Sequence, residues 1–288
     1  MFSPMIFNDM SQIVNLAWKS VGALALLGGL ATPAGAAIGD WVGEGNARVR
    51  LVASGVDAEG RLAAGIEIDL DPGWKTYWRS PGDAGIPPVA DFSASINIDG
   101  PVAIGFPPPH RYDDGYAVTN VYEGRIVLPL SVAVADPASP TRLVVGLDMG
   151  VCAEVCIPEH FDLALDVAPD ESDAEADALL AGARAALPGK PEPGTFAVEG
   201  IARSGGTDQR PLFNIVFVAP DPDEAEVYVE GPTDWYPAPP KLVGVDGSRA
   251  TYSIEFSRLG AKTPIGGNEF TVTIVSGGRA IEDVVTLD

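Results

Sequence analysis

The chain is short of cysteine, histidine and positive charge. Its 288 residues include two Cys, two His and four Met, and 18 Lys and Arg stand against 40 Asp and Glu. Two cysteines exclude the disulfide-dense frameworks that staple small exported domains. The few His and Met, nowhere clustered, leave little for a soft-metal centre. A net charge of −22 is repelled by nucleic acid and anionic lipid, so neutral or basic proteins are the expected partners, with no nucleic acid among them. Phosphate-loop and dinucleotide motifs are missing, and no small-molecule cofactor is expected. A nucleophile elbow of the G-x-S-x-G type is missing too. Carboxylates are plentiful, but nothing selects a pair at the separation that glycoside hydrolysis requires. Trp74, Trp78, Trp235 and Tyr236 read as core or turn packing ahead of a sugar platform.

Long apolar runs are also absent. The ten residues VGALALLGGL (21–30) fall short of the about 20 needed to span a bilayer, and no other stretch reaches that length. Lys19 precedes the run and Ala34-Gly35-Ala36 follows it, the pattern of a secretory leader over residues 1–36. Residues 41–168 hold short alternating or apolar runs: ARVRLVASGVD, LAAGIEIDL, ASINIDGPVAIGF, RIVLPLSVAVA and TRLVVGLDMG. They predict a β-rich domain. Residues 170–187 predict a helix with Ser172 and Glu175 as capping box and Ala176, Leu179, Leu180, Ala183 and Leu187 on one face. KPEPGT follows as a linker, with Gly189–Gly194 the expected site of first proteolysis. Residues 195–288 return to strands, with VDGSRA and SGGRA as hairpin turns. The expected fold is all-β, two immunoglobulin-like sandwiches joined by one helical spacer: 37–168, helix and linker 169–194, and 195–288.

Both cysteines lie in DMGVCAEVCIPEHF (148–161). Three chemistries compete for Cys152 and Cys156. A structural disulfide closing so small a ring stabilises by only about 2 kcal/mol, against more than about 4 for a loop near 100 residues. A Cu(I) site would add Met149 and His160, but Met149 breaks the even spacing that one strand face demands. A redox dithiol fits if residues 153–155 are a hairpin loop, because opposed residues on antiparallel strands sit within disulfide range. Asp148, Glu154, Glu159 and Asp162 are near in sequence and disfavour a thiolate. His160 reads as a surface residue beside the pair.

GWKTYWRSPGDAGIPP (73–88), FPPPHRYDDGYAVTNVYEGRIVLPL (106–130) and CAEVCIPE (152–159) together resemble the exported N-terminal domain of the DsbD/ScsB-like thiol:disulfide interchange proteins. The likeness covers roughly residues 41–168, and the helix and second sandwich are similar to the longer ScsB-type variant. It implies an immunoglobulin-like fold and a periplasmic location. It also implies a catalytic pair in which Cys156 forms mixed disulfides and Cys152 resolves them. By the same likeness Asp113, Asp114, Gly115 and Tyr116 are a cap loop over the pair, and Tyr77 lines the site. The implied partners are thioredoxin-like periplasmic proteins and a separate membrane electron-transfer protein, because this sequence carries neither of those parts. The cysteine spacing is shorter than in DsbD itself, and Gly115 stands where the cap-loop Phe would be, leaving shielding to Tyr116. A copper-binding or assembly sandwich with a structural disulfide is the alternative.

Overall fold

The computed structural model describes Met1 and residues 37–287; apart from Met1, the expected leader lies outside the described residues. Where apolar and polar residues alternate, the chain forms strands. In chain order these are β1 (Ala47–Val56), β2 (Arg61–Leu70), β3 (Lys75–Gly82), β4 (Val89–Asp91), β5 (Ala103–Ile104), β6 (His110–Asp113), β7 (Val118–Glu123), β8 (Arg125–Ala133), β9 (Thr141–Cys152) and β10 (Cys156–Val167). After α1 (Ala174–Ala185) come β11 (Ala197–Gly206), β12 (Pro211–Val218), β13 (Glu226–Glu230), β14 (Tyr236–Pro237), β15 (Lys241–Asp246), β16 (Arg249–Ser257), β17 (Glu269–Ser276) and β18 (Arg279–Thr286).

The first sandwich packs the sheet β1-β2-β8-β5 on the sheet β10-β9-β3-β7-β6, with β4 added on β9. β9 shows the construction. Leu143, Val145, Leu147, Met149 and Val151 all point inward, at every second position, onto Val49, Leu51, Ile66 and Ile68 of the facing sheet. Burying each such side chain stabilises by roughly 1.5–3 kcal/mol. The second sandwich packs β11-β12-β16-β14, with β15 on β16, against β13-β17-β18. Its centre is aromatic: Phe213, Trp235, Phe256 and Phe270 have ring centroids 5.4 to 6.1 Å apart. Among the described residues the chain is thus all-β, with two immunoglobulin-like sandwiches and one helix.

Several local expectations give way. The helix cap is Asp173, not Ser172: its carboxylate accepts from Glu175 N and Ala176 N, both at 2.9 Å. ASINIDGPVAIGF is mostly loop, because Asn97 takes a left-handed φ of 65° and Gly100 one of 74°; only Ala103–Ile104 becomes a strand within it. The helix keeps the one buried face expected of it, but it lies on the first sandwich. Ala176, Leu180 and Ala183 are its buried residues, and Ala176 and Leu180 pack with Val52 of the first sandwich. The linker is pinned as well: Gly189 N donates to Ala280 O at 2.9 Å, and Glu282 N donates back to Gly189 O at 3.0 Å. The sandwiches touch directly, with Tyr228 of β13 joining the first core.

Candidate functional site

β9 and β10 pair without interruption from Thr141↔Val167 to Cys152↔Cys156. Residues 153–155 form the expected turn, with Ala153 N donating to Val155 O at 3.1 Å. The cysteines face each other at the hairpin tip, disulfide-bonded, with Cα atoms 4.1 Å apart. Because the odd positions of β9 fill the core, Cys152 points to the outer face of its sheet. The two sulfurs differ in access. Cys152 is 2% exposed under Tyr77, Val121 and Tyr112, whereas Cys156 is open to solvent.

Tyr77 is positioned by two ladders. β3 places Lys75 opposite Cys152 and Thr76 opposite Val151 on one side, and Tyr77 opposite Val121 of β7 on the other. Tyr77 shares the outer face with Lys75 and Cys152. Its hydroxyl donates to Cys152 Sγ at 3.1 Å and lies 3.2 Å from Cys156 Sγ. Glycine makes room for the ring. A Cβ on Gly85 would come within 2.4 Å of it, and one on Gly150 within 3.3 Å. Gly85 also takes a φ of 130°, which side chains rarely tolerate. Burial raises the Tyr77 pKa, and the Asp114 charge raises it further, so the phenol stays a neutral donor at ordinary pH.

Asp113, Asp114, Gly115 and Tyr116 form the β6–β7 turn. Asp113 Oδ1 accepts from Gly115 N at 2.8 Å, and Asp114 Oδ1 accepts from Tyr116 N and Ala117 N at 2.9 Å. Gly115 supplies the positive φ, 84°, that such turns need. Those amide donors, Ala117 first, hold the Asp114 carboxyl below its ordinary range. The carboxylates close the turn on itself and leave the Tyr116 ring fully exposed. In this conformation Tyr116 shields nothing, contrary to the expectation from resemblance; the rings against the buried sulfur belong to Tyr77 and Tyr112.

Sequence reasoning missed Lys75 and Tyr112. The Lys75 ammonium sits 4.0 Å from the Tyr112 ring centroid, and Lys75 is buried, so a positive charge lies in the layer next to Cys152. The signal was present in KTYWR, where a Lys sits two residues before the predicted lining Tyr. Of the acidic neighbours, Glu154 sits in the exposed turn between the cysteines, but Asp148 is distant. Asp148 is four residues along the strand from Cys152, about 13 Å at 3.3 Å per residue, and it pairs with His160 Nδ1 at 2.8 Å. Asp148, then Asp162, raise the His160 pKa. That pairing and the burial of Met149 in the core, on the opposite face from Cys152, separate the members of the copper set. Among the described residues no group of three or more His, Cys, Asp or Glu is gathered as a metal site would need, and no helix is long and apolar enough to cross a membrane.

Comparison with known proteins is consistent with this geometry. Residues 48–168 match the family described as thiol:disulfide interchange protein DsbD, N-terminal. The crystal structure of the N-terminal periplasmic domain of ScsB from Proteus mirabilis is similar in fold, with a TM-score of 0.68 at 22% identity, over 87% of this chain and 98% of that one. No curated protein matches the chain in sequence. By the family match residues 48–168 are similar to the DsbD N-terminal domain, and the ScsB domain shares the fold.

Proposed function

We propose that the chain is a periplasmic thiol–disulfide exchange protein that relays electrons through Cys152 and Cys156 to or from partner thiol proteins. The observation that carries this reading is the asymmetry of the pair: one sulfur exposed, the other buried against a phenol. A partner thiolate attacks Cys156 Sγ, the accessible atom. The Cys152–Cys156 bond breaks as the new S–S bond forms, and its electron pair goes to Cys152 Sγ. Tyr77 donates a hydrogen bond to that sulfur as charge develops on it, a charge-assisted contact stronger than a neutral one. The partner's second thiolate then attacks the partner sulfur of the mixed disulfide; that bond's electron pair goes to Cys156 Sγ, the partner leaves as a disulfide and this chain is left as the dithiol. Protons are exchanged with solvent, and the reverse sequence delivers electrons to an oxidised partner. Thioredoxin-like periplasmic proteins are the partners whose chemistry fits, with a separate membrane protein as the electron conduit.

Trapping tests this directly. Cys152→Ala leaves the exposed Cys156 without its resolving thiol, so covalent adducts that dissolve on reduction should accumulate in periplasmic extract. Cys156→Ala should accumulate few, because Cys152 is 2% exposed. Equal trapping by both variants, or none by either with stoichiometric Cu(I) retained by the unmodified protein, would contradict the reading.

A further inference from the structure

After Tyr77, β3 leaves its ladder. Its pairing with β7 breaks between Tyr77↔Val121 and Gly82↔Thr119, so four residues, 78–81, lie where β7 has one. From β7 this bulge receives one side-chain contact, Asn120 Nδ2 donating to Ser80 O at 2.8 Å. Trp78 is sunk in the first core, and the polar anchors of Arg79 come from the second sandwich. Arg79 donates to both carboxylate oxygens of Glu230, with Nε at 3.0 and 3.1 Å and Nη2 at 2.6 Å, and also pairs with Glu282. Trp78 packs on Tyr228 with ring centroids 5.5 Å apart. The chain then turns back so that Gly85 lies against the Tyr77 ring.

The other site-bearing strand is held the same way. At β6, Arg111 Nη2 donates to Val227 O at 2.8 Å, its guanidinium lies 4.9 Å from the Tyr228 ring centroid, and Tyr228 donates to Pro109 O at 3.0 Å. β6 carries Tyr112 and leads into Asp113–Tyr116. The cysteine hairpin, in contrast, is built within the first sandwich.

We infer that the second sandwich is a brace for the redox site: through the Arg79–Glu230–Glu282 clamp it fixes the bulge of β3 and thereby the placement of the Tyr77 hydroxyl on the disulfide. Arg79 is a positioning residue and touches neither sulfur. The bidentate geometry suits the task, because a planar guanidinium fixes orientation as well as distance. Three charges share one partly covered site, with side chains 25 to 34% exposed, so neutralising the carboxylates loosens the clamp without emptying the core. This inference rests on the exchange reading given above.

A double-mutant cycle tests it. The variant Glu230→Gln with Glu282→Gln, the variant Tyr77→Phe and their combination are oxidised, and their reduction by dithiothreitol is timed by stopped flow. The clamp variant should slow reduction several-fold in the parent background and leave it unchanged in the Tyr77→Phe background, with an unaltered far-ultraviolet circular dichroism spectrum. A clamp effect of equal size in both backgrounds, or no effect in the parent, would overturn the brace. Should the double replacement not fold, Glu230→Gln alone enters the same cycle. Failure of the exchange reading looks different: then the unmodified protein traps no partner, whatever the clamp does.

Discussion

Tyr77 does at the residue scale what a composition count cannot show. Its ring covers the buried Cys152 sulfur, and its hydroxyl, kept protonated by burial, sits 3.1 Å from that sulfur, the atom that takes up charge in the proposed exchange. Hydrogen bonds to charged groups contribute about 1.5–3 kcal/mol, so Tyr77→Phe should slow attack on Cys156 by about tenfold at the lower end of that range. The reduction rate by a neutral dithiol at fixed pH measures it, and an unchanged rate would remove the phenol from the mechanism. Tyr77 was reachable from the sequence by family likeness. Lys75 and Tyr112 were not reached. Lys75, Thr76, Tyr77 and Trp78 are consecutive and all buried, so β3 lacks the in–out alternation that tells a reader which face a residue takes. Asp148 misled for the complementary reason: nearness along a strand is not nearness in space.

At the scale of elements, the hairpin was legible because its inner face repeats every second residue from Leu143 to Val151, and that repeat fixes the register. The cap of α1 was misplaced by one residue, since Ser172 and Asp173 both carry capping side chains and only backbone geometry chooses between them. The β6–β7 turn was legible as a turn but not as a lid. Its order depends on Asp114, whose carboxyl is held below its ordinary value of 3.8 by the amides of Ala117 and Tyr116. A depressed pKa means that the stabilisation is fully present above the unfolded value and lost as pH falls through the folded one. Protection of the Tyr116 and Ala117 amides, taken relative to their intrinsic exchange rates, should therefore hold above pH 3.8 and fall only on further acidification. Asp114→Asn, which keeps an acceptor oxygen but cannot titrate, should remove that dependence. A transition centred above the ordinary value would show that the amides do not hold the carboxylate.

For the whole molecule, the rhythm of strands and turns announced two sandwiches, and the structure has them. Their contact was not readable. Arg79, Glu230 and Glu282 meet across separations of 151 and 203 residues, and each alone is an ordinary charge on a polar chain. The pinning of Gly189 to β18 was hidden likewise in a stretch whose Pro and Gly suggest a loose tether. The consequence is a redox hairpin built by one sandwich whose phenol-bearing strand is steadied by the other. The central claim is that the Cys152–Cys156 bond is made to be exchanged while both sandwiches stay folded. Its reduction potential, read by mass spectrometry of alkylated protein equilibrated across thiol–disulfide buffers, tests that claim most directly. Exchanging protein disulfides lie between about −120 and −270 mV, whereas structural ones lie below about −300 mV. The account predicts a value in the first range, with the circular dichroism of the reduced and oxidised forms alike. A value below about −300 mV, or loss of the fold on reduction, would contradict it.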